Sequence, residues 1–228
     1  MRLLALAVLA LLPGPAPTTT VSGKIGFGEG GAKPLPAFVY TGRDRRLLAK
    51  EPPESPVAVW LEGGAAKASG EGSTVDVQQK GLHYVPRVLV VAVGTAVRFP
   101  NEDDTLHNVF SLSPGNTFDL GKWGKGKANQ WTMSEKGRVD VRCKVHDHMK
   151  AFIHVVDSPH RAVAAADGTF ALQGVPPGSY TLVAWKEEHG FLRQAVEVKA
   201  DGAKVEAQFA RAAPAPARET ACGGCSAR

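Results

Sequence analysis

The sequence predicts an all-β protein on three observations. Val88-Leu89-Val90-Val91-Ala92-Val93 is a continuous, mostly β-branched run closed by Gly94, as expected of a strand buried on both faces. Val139, Val141, Cys143 and Val145 alternate with Arg138, Asp140, Arg142 and Lys144, the period of a strand with one buried face. No helical periodicity survives beyond the first dozen residues, and 25 glycines and 16 prolines among 228 residues supply turns for many short strands. The length suits one large or two small domains.

The elements follow in order. Met1-Arg2, an apolar run from Leu3 to Leu12 and Pro13-Gly14-Pro15 match a secretory signal, assigned to residues 1–18, and direct the chain to the periplasm or outside the cell. Residues 19–62 form an N-terminal β segment, with strands at 21–27, 37–40 and 57–61 and a polar connector over 43–56. A Gly/Ala/Ser-rich loop runs to Ser73. Strands follow at 88–93, 95–99, 138–145 and 151–156, which puts His146 and Met149 on a short connection between two strands. Cys143 is expected to point inward. Beyond Asp157, Asp167-Gly168-Thr169-Phe170, Val175-Pro176-Pro177-Gly178 and the 180–185 run are closely spaced strands and turns, and alternation at Val205, Ala207 and Phe209 closes a module over 158–210. Residues 211–228 read as an Ala/Pro-rich linker ending in Cys222-Gly-Gly-Cys225.

The net charge is +5, and +4 once Arg2 leaves with the signal. The basic clusters, Arg43 to Arg46 and Lys122, Lys125 and Lys127, lack interleaved aromatics, so nucleic-acid binding is not expected. They read as solvated loop charges. No apolar run reaches the ~20 residues of a membrane-spanning helix. Hydrolytic and nucleotide-binding motifs are missing, and His146-Asp147-His148 is the lone His-x-His pair where a multicopper oxidase needs several; no catalysis of its own is expected.

Cys143, His146 and Met149 follow a Cys-x-x-His-x-x-Met spacing. Thiolate, imidazole and thioether in seven residues suit copper, and two histidines with one cysteine and a weak axial methionine make a blue-copper site. The second histidine is His107, 36 residues before Cys143 and just after an acidic turn. The expected metal set is therefore His107, Cys143, His146 and Met149, holding one type 1 copper ion. The terminal cysteine pair lacks the flanking strand and helix of a redox domain and reads as a small disulfide or free thiols.

This ligand loop, together with Val85-Pro86-Arg87-Val88 and Gly94-Thr95-Ala96-Val97-Arg98-Phe99-Pro100-Asn101, resembles the cupredoxins, specifically amicyanin and plastocyanin-like proteins associated with methylamine utilisation. The resemblance covers residues 74–157. It implies an eight-stranded Greek-key sandwich, with Asn108 tying the two ligand loops together near the cysteine sulfur. Where that family commonly has an aromatic before the methionine, this chain has His148, a competing ligand by type; the three-residue spacing favours His146 and leaves His148 as an exposed loop residue. His83, His154, His160 and His189 read as structural or surface positions.

The 158–210 module resembles the carboxypeptidase-regulatory, transthyretin-like β-sandwich through Ala166-Asp167-Gly168-Thr169-Phe170 and Gly174 to Leu182. It is short for a complete sandwich. The strands at 21–27 and 37–40 are expected to complete it, with the cupredoxin inserted between. The function implied is an exported blue copper protein that carries single electrons between periplasmic redox partners, with its electron port at the ligand-loop edge near His146. The alternative is a copper carrier or buffer without redox turnover.

Overall fold

The structure is a computed structural model that describes residues 18–27 and 56–210. The expected signal, the strand at 37–40, most of the 43–56 connector and the terminal cysteine pair lie outside these residues. Every regular element described is a β-strand.

Four sheets stack face to face. The outermost joins β14 (Thr169–Val175), β1 (Thr19–Phe27) and β17 (Ala203–Phe209), with β1 antiparallel to β14 and parallel to β17. The next joins β13 (Arg161–Val163), β2 (Ala58–Glu62), β15 (Gly178–Lys186) and β16 (Gly190–Val198). The N-terminal strands 19–27 and 58–62 thus pair with strands from the C-terminal module, while the residues between 62 and 157 build the other two sheets. At Gly23 the β17 backbone comes so close that a Cβ would fall 2.0 Å from the Val205 carbonyl oxygen.

The third sheet runs β6 (Val88–Ala92), β12 (Lys150–Val156), β11 (Gly137–Arg142), β8 (His107–Ser113), β9 (Asn116–Trp123). The fourth runs β10 (Ala128–Thr132), β7 (Ala96–Pro100), β3 (Thr74–Asp76), and a hairpin of β4 (Gln78–Lys80) and β5 (His83–Val85) lies beside it. Among the described residues, 74–156 therefore contribute ten strands where the resemblance implies eight, two of the additional ones being this three-residue hairpin.

Side-chain alternation explains the stacking. On β2 and β15, Val59, Leu61, Leu182 and Ala184 enter the core shared with the outermost sheet, whereas Ala58, Trp60, Val183 and Trp185 face the third sheet. There they meet Val88, Phe152 and Val156, and the opposite faces of β6 and β12 send Val91, Ile153 and Val155 into the core with the fourth sheet. Strands buried on both faces need apolar residues at successive positions, which accounts for the unbroken 88–93 run.

One expectation fails at the end of β11. The alternation buries Val139, Val141 and Cys143, but the strand stops at Arg142 and Val145 is 39% exposed. Past Arg142 the chain turns into the loop that joins β12, and the period-two rule lapses with the strand geometry that imposes it.

Candidate metal centre

Two loops meet at one end of the inner sandwich. Residues 143–149 connect β11 to β12, and residues 101–106 lead into β8, whose first residue is His107. His107, Cys143 and His146 are buried, and their ligating atoms lie within 4.8 Å of one another. The Nδ1 atoms of His107 and His146 are 3.0 Å apart, and the Cys143 sulfur is 4.0 Å from His146 Nδ1. Metal bonds of about 2.0 Å to imidazole and 2.3 Å to thiolate place donors in a shared trigonal plane roughly 3–4 Å apart; the 3.0 and 4.0 Å separations meet this spacing, and the group as a whole, within 4.8 Å, needs a small contraction to hold one ion. Met149 is wholly buried in the same core cluster as Cys143, and its amide donates to the His146 carbonyl at 3.0 Å. The structure brings the four expected residues to one end of one sandwich.

The approach loop orients His107. The Asn101 side chain donates to the Thr105 and Trp123 carbonyls, both at 2.9 Å, and accepts the Asp103 amide. That fixes Asp103, 7% exposed, with a carboxylate oxygen 2.9 Å from His107 Nε2. With the Nε2 proton donated there, Nδ1 carries the lone pair that faces His146, the arrangement by which a carboxylate sets the tautomer of a ligating histidine. The same carboxylate accepts the Gly81 and Leu82 amides at 2.6 and 2.9 Å. Leu82 takes a left-handed φ of +61°, a conformation unfavourable for an apolar side chain, and those amide bonds hold it there.

Asn108 Oδ1 accepts the amide of Lys144 at 3.3 Å, and its Nδ2 donates to Asp119 and to the Gly121 carbonyl. It therefore links the strand carrying His107 to the residue after Cys143. The Lys144 ammonium and the Asn108 amide lower the Asp119 carboxyl to about 2. Tyr84 provides a second tie, its hydroxyl lying 3.0 Å from the Asn108 carbonyl and 3.1 Å from that of Arg142. Burial, and next the nearby Cys143, push its pKa well above 10, so it stays a donor. The Val145 amide lies 3.4 Å from the Cys143 sulfur.

Sequence reasoning missed Asp103 and Tyr84. Asp103 had a signal, an acid four residues before a candidate ligand; Tyr84 had none, because its partners are backbone carbonyls distant in sequence. His148 is not the exposed loop residue expected. It is half-buried, with Nε2 3.0 Å from the Leu82 carbonyl, because the loop folds over the β4–β5 turn. Burial is the main cause that lowers its pKa. The ring expected to mark an electron port, His146, is only 1% exposed, and its neighbour Val145 takes the surface position.

His154 is buried against Trp60 and Trp185, far along β12 from the candidate metal centre, while His160 and His189 belong to the outer sandwich side, at Tyr180 and Phe209 respectively. Lys125 pairs with Asp104 at 2.8 Å on the surface, and Lys122 and Lys127 are exposed. No helix among the described residues is long and apolar enough to cross a membrane.

Residues 133–219 match the family model of the β-sandwich domain of ER membrane protein complex subunit 7. No curated protein matches the chain. Among solved structures, the chain is similar to the Cu-containing nitrite reductase (NirK) of Thermus scotoductus SA-01, at 31% identity over 42% of this chain and 25% of that one, with a TM-score of 0.36. It spans about a quarter of that enzyme's length. A reduced tryptophan-to-tyrosine variant of amicyanin matches at 25% identity over 39% of this chain and 84% of that one, TM-score 0.34. A methionine-to-alanine variant of amicyanin in the Cu(I) form matches at 20% identity over 42% and 97%, TM-score 0.34.

Proposed function

We propose that the chain is an exported type 1 copper protein that carries single electrons between periplasmic redox partners. The observation that carries this reading is the convergence, in a buried pocket, of two imidazole nitrogens and a cysteine sulfur, with a buried carboxylate beside one imidazole's other nitrogen. Soft thiolate with imidazole suits copper over the hard cations. His107, Cys143 and His146 would hold the ion, with the buried Met149 thioether as a weaker fourth donor, and bound copper would supply a one-electron couple.

The remaining chemistry belongs to the chain. Asp103 holds the Nε2 proton of His107 and so keeps Nδ1 available. Asn108 and Tyr84 tie both ligand segments to the sheet, which limits rearrangement between oxidation states. The apolar surroundings, Val109, Val141 and Met149 among them, exclude water and favour retention of the metal. The signal-like sequence of residues 1–18 supports export, and the surface at Val145, over the buried His146, is the place for a redox partner to approach.

The test is visible absorption and electron paramagnetic resonance of the Cu(II)-reconstituted protein beside Cys143→Ser. Intense thiolate-to-copper absorption and a narrow copper hyperfine splitting are expected, both lost in the variant. A copper-loaded protein without that absorption overturns the reading.

A further inference from the structure

We propose that His148 is a positioning residue, a latch that holds the ligand loop shut over the buried donors and so controls how fast metal enters and leaves. The inference rests on the copper reading above for the identity of that metal; the latch itself belongs to the metal-free fold.

The anchor is the β4–β5 turn. Leu82 has a wholly buried side chain although its φ is +61°, and the Asp103 carboxylate accepts its amide at 2.9 Å and that of Gly81 at 2.6 Å. A left-handed backbone is unfavourable for leucine, so core packing and the carboxylate together fix this peptide and the direction of its carbonyl. His148 Nε2 lies 3.0 Å from that carbonyl oxygen. A carbonyl only accepts, so the ring nitrogen donates. His83, the first residue after the turn, sets its ring at 80° to that of His148 with centroids 5.8 Å apart, and the latch ring is packed edge to face against it.

The place of His148 in the chain gives this bond its consequence. His148 lies between His146 and Met149, and the Met149 amide donates to the His146 carbonyl at 3.0 Å, so a restraint on His148 acts on two of the candidate donors. The first half of the loop is held elsewhere, by the Lys144 amide on Asn108 and by Tyr84 on the Arg142 carbonyl. The second half is held by the Leu82 carbonyl. Because Asp103 also lies 2.9 Å from His107 Nε2, one turn joins the His107 segment to the His146–Met149 segment. Breaking the His148 bond frees the second half to lift, which uncovers Cys143, only 4% exposed in the closed loop. Loss of one hydrogen bond of this kind should raise the open population roughly five- to tenfold.

The experiment follows alkylation of Cys143 by iodoacetamide in the metal-free full chain, in a Cys222→Ser/Cys225→Ser background that removes the tail thiols. His148→Phe keeps a ring against His83 but has no donor, and should speed alkylation roughly five- to tenfold. His148→Gln retains an amide donor for the Leu82 carbonyl and should stay within about twofold of the parent. Transfer of bound copper to an external chelator should follow the same order. His148→Leu takes the place of His148→Phe should that variant misfold. Alkylation that is unchanged in a folded variant without the donor, or as fast in His148→Gln as in His148→Phe, overturns the latch. A rate that climbs with denaturant as steeply as global unfolding does also overturns it, since a latch opens locally. The expected order of alkylation in a chain that binds no copper upholds the latch and overturns the copper reading instead.

Discussion

The outer core, between the β1 and β2 sheets, consists of apolar side chains such as Val21, Ile25, Leu61, Leu172, Leu182 and Phe209, plus Tyr180, whose hydroxyl donates to the Pro176 carbonyl. The inner core is equally apolar around Phe99, Val139 and Ile153 but ends in Cys143 and Met149, with His107, His146 and Asp103 buried alongside. Two sandwiches built from the same kinds of strand therefore differ at one end of one of them. Burying polar groups without partners costs a few kcal/mol each, and the inner sandwich offsets that cost with the Asp103, Asn108 and Tyr84 bonds. Among the described residues the outer sandwich encloses no such donor set, and its inner sheet serves as a wall against which β6 and β12 are held.

Removing the carboxylate at the centre of that polar end should have the largest effect. Asp103→Ala leaves the Gly81 and Leu82 amides and the His107 Nε2 proton without their acceptor. At roughly 1–3 kcal/mol for each buried group left unsatisfied, with local relaxation recovering part, a loss of about 4 kcal/mol is expected in chemical denaturation. Copper affinity should fall 10–100-fold, the usual consequence of losing an outer-shell partner. Unchanged affinity in a folded variant would show that His107 needs no external orientation.

Leu182→Ala probes the other side of the comparison. The side chain is fully buried in the outer core, and truncation should cost about 3 kcal/mol. Copper affinity at temperatures where the variant is folded should equal that of the wild type. Affinity that falls with stability would mean that the outer sandwich sets the ligand geometry as well as bracing the sheet.

Between the two lies a pH-sensitive junction. His154 packs against Trp60, Trp185 and Phe191, with ring centroids 5.3, 4.6 and 5.9 Å away, and burial, then the charge on Arg138, depresses its pKa to about 3. From pH 6.5 down to that value the unfolded chain binds a proton that the folded chain refuses, so stability falls as pH falls through the window. The loss from this group should be about 2 kcal/mol between pH 6.5 and 5. His154→Leu should remove that slope, as measured by denaturant melts across the range. An unaltered slope would assign it to other groups.

Much of this was legible in the sequence for a physical reason. Period-two alternation and β-branched runs depend on burial, and they located β6, β11 and β12 to within a few residues. The candidate site was legible because Cys143, His146 and Met149 fall within one loop. Legibility ended where partners are distant in the chain or are backbone. Asp103 finds the 81–82 turn, Tyr84 finds two carbonyls, and His148 is drawn in by the Leu82 carbonyl, none of which leaves a periodic trace. The alternation also misled at Val145, since spacing continues past the residue where the strand ends.

The smallest effect is expected at the ionic tie between the regions. Glu187, just beyond β15, receives Arg87 and Lys150 from the inner sandwich, with Arg87 Nε at 3.1 Å. Burial alone would raise its carboxyl pKa, but hydrogen bonds from Lys150 and Arg87 outweigh that and hold it below the usual carboxylate value. Charged hydrogen bonds contribute about 1.5–3 kcal/mol each, yet the Arg87 and Lys150 side chains retain 20% and 23% exposure and regain hydration when their partner is neutralised. Glu187→Gln should therefore cost only about 1 kcal/mol. Because Lys150 follows Met149 directly, the same variant asks whether the brace reaches the ligand loop. A copper dissociation rate equal to wild type is expected, since Met149 is held by its own core contacts and by the His146 carbonyl. A faster rate would make the outer sandwich part of what retains the metal.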